Sequence, residues 1–145
     1  MNKERTLVLI KPDGVQRALV GDVISRIESK GYSIVALRML VAERSMLERH
    51  YAEHHGKPFY EPLLEFMSSG PLVALIAEGN RVIEGFRSLA GATDPTVAAP
   101  GTIRGDLACD QGTDVVQNIV HGSDSPESAV REIAIFFHQS LVEGK

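Results

Sequence analysis

An unbroken apolar run, Thr6-Leu7-Val8-Leu9-Ile10, stands almost at the start of the sequence. β-Branched residues and leucines in direct succession, without alternating polar positions, suit a strand covered on both faces or placed centrally in a sheet. A chain that opens this way must find cover for that strand in its later segments. Residues 19–30 carry Val20, Val23, Ile24 and Ile27 at the spacing of one helical face, with Gly31 as the stop. Residues 32–42 read as a second, long strand. From Ser45, a plausible cap, a short helix runs through His50, Tyr51 and His54 until Lys57-Pro58 breaks it; Glu61-Pro62 then starts another over 63–69, closed by Gly70-Pro71. Residues 72–77 form a third strand with Glu78-Gly79 as its turn. Asn80 is the expected cap of a helix to Ala90, whose core stripe is Val82, Ile83, Phe86 and Leu89.

The second half is less regular. Residues 91–101 form a long segment rich in Gly, Ala and Pro, and residues 107–117 are polar and punctuated, with no firm secondary structure. A short apolar run, Ile119-Val120, is expected as the fourth strand. Ser125 caps a last helix, with Pro126 at its first position, Glu127 in its first turn and Ala129, Ile133, Phe136 and Phe137 on its core side through about residue 137. The order predicts an α+β sandwich, with helices on one face of a four-stranded, mainly antiparallel sheet. No linker or repeat divides it, so residues 1–145 read as a single domain.

Net charge decides between partner classes. At -4 the chain lacks the basic surplus of a protein built for non-specific nucleic-acid binding, so any anion it meets must be met by locally placed cations. No apolar run is long enough to cross a bilayer, and the first residues lack the apolar segment of a signal peptide, which predicts a cytoplasmic protein. Cys109 is the only cysteine and excludes an intramolecular disulfide or a cysteine-rich metal site.

Candidate chemistry centres on His121, between a strand end and a helix start and next to Gly122, which leaves room beside the imidazole and frees the backbone. Lys11 is a cation at the mouth of the first strand, where Pro12-Asp13-Gly14 reads as a turn. Arg87 falls about 40° beyond Ile83 on its helix, at the border of the buried face. Arg104 stands beside Gly105, a setting in which a guanidinium fork can meet an oxyanion closely. These are the cations a polyphosphate needs, and Thr93 adds a hydroxyl. No Gly-x-x-x-x-Gly-Lys-Ser/Thr or Gly-x-Gly-x-x-Gly motif exists, so side chains would have to hold the phosphates. A neutral imidazole attacks phosphorus near pH 7, and Glu132 or Ser123 is placed to hold its other ring nitrogen. His50, His54 and His55 invite a metal reading, which the absence of an obvious third ligand sets aside in favour of a polar helix face. Phe59, between two helices, either stacks on a flat ligand or plugs the core.

Three segments carry a resemblance: Glu4-Arg5-Thr6-Leu7-Val8-Leu9-Ile10-Lys11-Pro12-Asp13-Gly14-Val15, Pro100-Gly101-Thr102-Ile103-Arg104-Gly105-Asp106, and Asn118-Ile119-Val120-His121-Gly122-Ser123-Asp124-Ser125. Together they resemble nucleoside diphosphate kinase over nearly the whole chain. The resemblance implies a ferredoxin-like fold and ping-pong transfer of a γ-phosphoryl group from a nucleoside triphosphate to His121, then to a nucleoside diphosphate, with Mg²⁺ carried by the nucleotide. It implies that Lys11 contacts phosphate and ribose, that Arg87, Thr93 and Arg104 contact phosphates, and that Asn118 contacts the ribose. Phe59 would stack on the base with Leu63 beside it, Tyr51 would line the pocket near Lys11, and the chain would assemble as a hexamer or tetramer. The interval from Arg104 to Asn118 is longer than the family pattern, with the extra residues around Cys109 to Val116 expected as a surface insertion; Leu107 replaces a more usual aromatic. Two competing readings remain: a histidine phosphatase or mutase, whose Arg-His-Gly motif is lacking, and a nucleotide-binding regulatory or interaction subunit of the same fold.

Overall fold

The computed structural model describes residues 3–137. Four strands, β1 (Glu4–Ile10), β2 (Ser33–Leu40), β3 (Leu72–Gly79) and β4 (Val120–Gly122), form one sheet in the order β2-β3-β1-β4. Every neighbouring pair is antiparallel, with Leu7 opposite Ile76 and Leu9 opposite His121. The opening apolar run therefore lies in the sheet's interior, and Leu7 through Ile10 have no exposed surface.

Cover comes from both sides, which corrects the expectation of helices on one face. Successive strand residues point to opposite faces. Leu7, Leu9, Ala74 and Ile76 belong to a core built with Leu47, Leu64, Met67, Ile133 and Phe136; Val8, Ile10, Val73 and Leu75 belong to another with Val23, Ile27, Val82 and Phe86. The second core is the usual pair of crossover helices, α2 (Val20–Lys30) and α5 (Val82–Ala90). The first is made by α3 (Arg44–His50) and α4 (Tyr60–Met67), which lengthen the β2–β3 connection, and by α7 (Pro126–Phe136). Periodicity along each helix gives its buried stripe but not the sheet face that receives it.

Two further short helices appear where turns or loops were expected. Pro12 starts α1 (Pro12–Gln16), a role its fixed φ and missing N–H favour. The other, α6 (Ile103–Leu107), is capped by Thr102, whose Oγ1 accepts from the Gly105 amide at 2.9 Å. A side chain at Gly105 would put its Cβ against the Ala99 carbonyl, so this glycine is needed for that close approach, not to free its arginine neighbour.

Several boundaries also shift. Ser45 lies inside α3, and the cap position is Glu43. Residues 52–54 form a separate 3-10 turn. Asn80 does not cap α5: Arg81 occupies that position at φ 55°, and the Glu4 carboxylate accepts from the Ile83 amide at 3.3 Å. Strand β3 continues through Glu78 and Gly79 because both pair with β1, and Arg5 Nε reaches Glu78 Oε2 at 2.8 Å. Ser125 caps α7 as expected, accepting from the Ser128 amide at 3.1 Å. No helix among the described residues is long and apolar enough to cross a membrane.

Candidate active site

Strand β4 has three residues, and its middle one, His121, pairs with Leu9 in the buried β1. That pairing anchors the imidazole to a fully buried part of the sheet. The ring is half-buried, with Nε2 2.9 Å from Glu132 Oε1 on α7. An ionised carboxylate can only accept, so Nε2 carries the ring proton and Nδ1 keeps its lone pair. Ser123 Oγ donates to the same carboxylate oxygen at 2.7 Å and accepts from the Leu7 amide at 3.1 Å. Ser123 thus acts on the imidazole through Glu132. Burial alone would raise the Glu132 pKa; the hydrogen bond from His121 and the imidazole and hydroxyl neighbours outweigh it and hold the pKa below the ordinary value.

One cavity of about 780 Å³ gathers His121, Glu132, Lys11, Tyr51, Arg87, Thr93, Arg104 and Asn118. They come from β1's end, α3's end, α5, the following loop, α6, β4 and α7. Lys11 Nζ donates to Asn118 Oδ1 at 2.8 Å, and Asn118 Nδ2 donates to the Thr93 carbonyl at 2.9 Å. Burial first, then the nearby Arg104 charge, bring the Lys11 pKa down to about 8, against a smaller upward pull from Asp13. Arg104 is half-buried. Its guanidinium donates to the carbonyls of Gly91 at 2.8 Å, Val120 at 2.7 Å and Asn118 at 3.3 Å. Three of its five N–H groups are committed and two remain for an anion. Burial, then Arg87, bring its pKa down to about 10. Burial and the Glu132 charge push the Tyr51 phenol up, so it stays protonated.

Three expected residues are not on this lining. Ser123 is buried behind it, Leu63 is packed into the core, and Phe59 stands on the outer side of His54, ring to ring at 5.2 Å. His54 does line the cavity, so Phe59 is one ring away from its wall. Gly122 makes room not for the imidazole but for Phe86, whose ring would lie 2.6 Å from an added Cβ. Residues 108–117 carry no regular element, are mostly exposed and contribute nothing to the lining.

Sequence reasoning missed Asp13 and Arg131 and set His50 aside. Asp13, read as a turn residue, is buried and accepts from the Ile119 amide at 3.1 Å. Arg131 lines the cavity and lies 3.7 Å from Glu132 Oε2. His50, 3% exposed, sets its ring edge-to-face on that of His121 at 4.7 Å between centroids. Burial, then the His121 neighbour, bring its pKa down to about 3, so it is uncharged. The third metal donor that helical spacing could not supply comes from other elements: His50, His121 and Glu132 each offer a donor atom, all within 4.8 Å of one another.

A ferredoxin-like sandwich with an imidazole, its carboxylate partner and the cations Lys11, Arg87, Arg104 and Arg131 in one cavity has the architecture of a phosphotransferase. The nucleoside diphosphate kinase family profile matches residues 4–142. Proteins named nucleoside diphosphate kinase are 61% identical over 137 residues in Parafrankia sp., covering 94% of this chain and 97% of that one, and 62% identical over 134 residues in Thermobifida fusca, covering 92% and 96%. A crystal structure of a nucleoside diphosphate kinase family protein from Babesia bovis aligns with a TM-score of 0.85 at 42% identity, covering 94% of this chain and 90% of that one. A transition-state mimic of the Borrelia burgdorferi enzyme with bound vanadate and ADP aligns at 0.87 and 37% identity, covering 95% and 89%. The chain belongs to the nucleoside diphosphate kinase family.

Proposed function

We propose that the protein moves the γ-phosphoryl group of a nucleoside triphosphate to a nucleoside diphosphate by way of phosphorylated His121. The observation that carries this reading is the His121–Glu132 contact, which reserves the Nδ1 lone pair for attack. As Nδ1 forms its bond to the γ-phosphorus, the bond to the β,γ-bridging oxygen breaks and its electron pair leaves with the nucleoside diphosphate. The ring proton stays on Nε2 against Glu132, which offsets the positive charge the imidazole acquires. A second nucleoside diphosphate then attacks the phosphorus and regenerates the neutral ring. The Borrelia relative with vanadate and ADP supports the assignment by analogy.

Lys11, Arg87 and Arg104 offset charge on the transferring oxygens, and Thr93 donates to a phosphate. Asn118, already tied to Lys11, meets the ribose. Phe59 meets the base from the cavity's rim with Leu63 behind it, and Tyr51, uncharged, closes the wall beside His50. Stacking reads no base identity, which suits broad base tolerance.

Mg²⁺ belongs to this reading as a companion of the nucleotide phosphates. The one three-donor group among the described residues has two imidazoles and a single carboxylate, a set ill-matched to a cation that demands oxygens. On this reading the ion would supply charge neutralisation at the phosphates.

The whole chain works as one domain in the cytoplasm, without a nucleic-acid partner. It works as a homo-oligomer, a hexamer or tetramer: β2 is an edge strand, and its exposed Val35, Leu37 and Met39, with Val41 just beyond, form an apolar row suited to a second copy. The test is intact-mass spectrometry after brief exposure to ATP and Mg²⁺. The chain should gain one phosphoryl group and lose it to a different nucleoside diphosphate, and His121→Ala should gain none. Phosphorylation of that variant would remove His121 from the mechanism.

A further inference from the structure

We infer that the cavity floor is a binding site for a borderline divalent transition metal, Zn²⁺ in the first instance, held by His50, His121 and Glu132, and that filling it disables His121. The metal site stands by itself; its inhibitory consequence rests on the functional reading above.

Three observations converge. The donors come from α3, β4 and α7 and lie within 4.8 Å of one another. His50 borders the cavity almost fully buried, yet neither ring nitrogen has a protein hydrogen-bond partner among the described residues. Buried polar atoms ordinarily find partners, and an uncharged imidazole with both nitrogens unmatched beside a cavity is prepared for one. Finally, two imidazoles and a carboxylate are a Zn²⁺ set that leaves a fourth position open.

The fit is close. Zn–N and Zn–O bonds of about 2.0–2.1 Å place tetrahedral donors roughly 3.3 Å apart. His121 Nε2 and Glu132 Oε1 are already at 2.9 Å. The remaining adjustment is to bring a His50 nitrogen, within 4.8 Å of the other two donors, to that spacing. Ser123 Oγ fixes the carboxylate from behind, as outer partners do at metal sites. Lys11 and Arg131 face the same space and weaken cation binding without removing a donor. Mg²⁺, which prefers six oxygens, does not compete for this set.

Occupation disables the imidazole whichever nitrogen is used. A metal on Nδ1 takes the attacking lone pair directly. A metal on Nε2 displaces the proton held by Glu132, and the neutral ring then carries that proton on Nδ1. In both cases no lone pair is left for phosphorus.

The full chain, stripped of metal, would be titrated with Zn²⁺ by calorimetry and with Co²⁺ by visible absorption. One tight equivalent per chain and the bands of low-coordinate Co²⁺ are expected. His50→Gln should weaken binding by at least about 100-fold, more than losing an outer partner usually costs. His54→Gln, which alters a half-buried donor on the cavity wall outside the three-donor group, and Cys109→Ser, which alters an exposed thiol, should leave the tight site intact. Equal binding by His50→Gln, or loss only in the latter two variants, overturns the site. Should His50→Gln not fold, imidazole ¹⁵N NMR of the unaltered chain decides: Zn²⁺ must shift ring nitrogens of both His50 and His121, and failure to shift both overturns it. Intact mass after ATP and Mg²⁺, with and without one equivalent of Zn²⁺, separates the two readings. No phosphorylation without Zn²⁺ sinks the proposed function and leaves the metal site standing; phosphorylation unslowed by bound Zn²⁺ overturns the inhibition.

Discussion

Replacing Ser123 by alanine deletes one hydroxyl that serves two partners. The Ser123 amide donates to the Leu7 carbonyl at 3.2 Å, extending the β1–β4 ladder by one bond. Where the ladder would next offer a carbonyl to the Leu7 amide, Ser123 Oγ accepts instead at 3.1 Å and itself donates a hydrogen bond to Glu132 Oε1 at 2.7 Å. Leu7 and Ser123 have no exposed surface, so solvent does not replace what is lost. An orphaned buried amide costs about 1–3 kcal/mol, and a hydrogen bond to a charged group contributes about 1.5–3 kcal/mol. Because one small group carries both and the cavity left is small, the expected loss is about 2–4 kcal/mol. For a chain of this length that lowers Tm by roughly 6–16 °C. The sequence has no tryptophan, so unfolding in urea is best followed by far-UV circular dichroism. One protein concentration must be used throughout, since association would add to stability. In a Glu132→Gln background the same substitution should cost about 1 kcal/mol less, because the bond is no longer charge-assisted. A cost below about 0.5 kcal/mol, or the same cost in both backgrounds, would refute this account of the hydroxyl.

Gly122→Ala places a Cβ 2.6 Å from the fully buried Phe86 ring and should destabilise by about 1–3 kcal/mol; a urea midpoint unchanged from the parent would show that the ring yields freely. Arg104→Lys keeps the charge but not the planar fork on three carbonyls, so stability should fall by about 1–3 kcal/mol in addition to any loss of transfer rate, and an unaltered melt would make its role purely electrostatic. Lys11 has its pKa lowered to about 8, so its charge is present below that pH and lost above it. With that charge needed at the phosphates, kcat/KM should fall as pH rises through about 8, and Lys11→Arg should remove this limb of the profile whatever its absolute rate. A basic limb that persists in Lys11→Arg belongs to another group.

The strands and most helices were legible because their signals are local. The run at residues 6–10, the stripe of α5 and the Ser125-Pro126 start of α7 each settle an element from adjacent residues. Arrangement was less legible. Which helix covers which sheet face depends on the long β2–β3 connection, and the cap of α5 comes from Glu4, distant in sequence. The site divides in the same way. Glu132 could be placed near an imidazole because it flanks a helix's apolar face, and Lys11 because it ends a strand. His50 resisted assignment because its partners, His121 and Phe136, lie on β4 and α7, and no spacing within α3 points to them. Arg104 looked like a free cation because carbonyl acceptors carry no mark in a sequence.

The segment leading into β4 shows why the cavity can be assembled at all. In a regular strand, Asn118 and His121 would point to opposite faces, being an odd number of residues apart. Both nevertheless line the same cavity. The reversal is made at Ile119, a β-branched residue at φ 73°, a conformation costing about 1–3 kcal/mol that persists only when its surroundings fix it. They do so through the peptide groups on both sides of its Cα: the Ile119 amide donates to Asp13 Oδ2 at 3.1 Å, and its carbonyl accepts from the Lys11 amide at 2.7 Å. The side chain itself has no exposed surface and packs with Ile10 and Val8. The turn after β1 thus does more than end a strand. Lys11 and Asp13 hold the strained residue whose twist brings Asn118 to Lys11 and leaves His121 facing the same space, so the chain's first motif and its histidine motif form one structural unit.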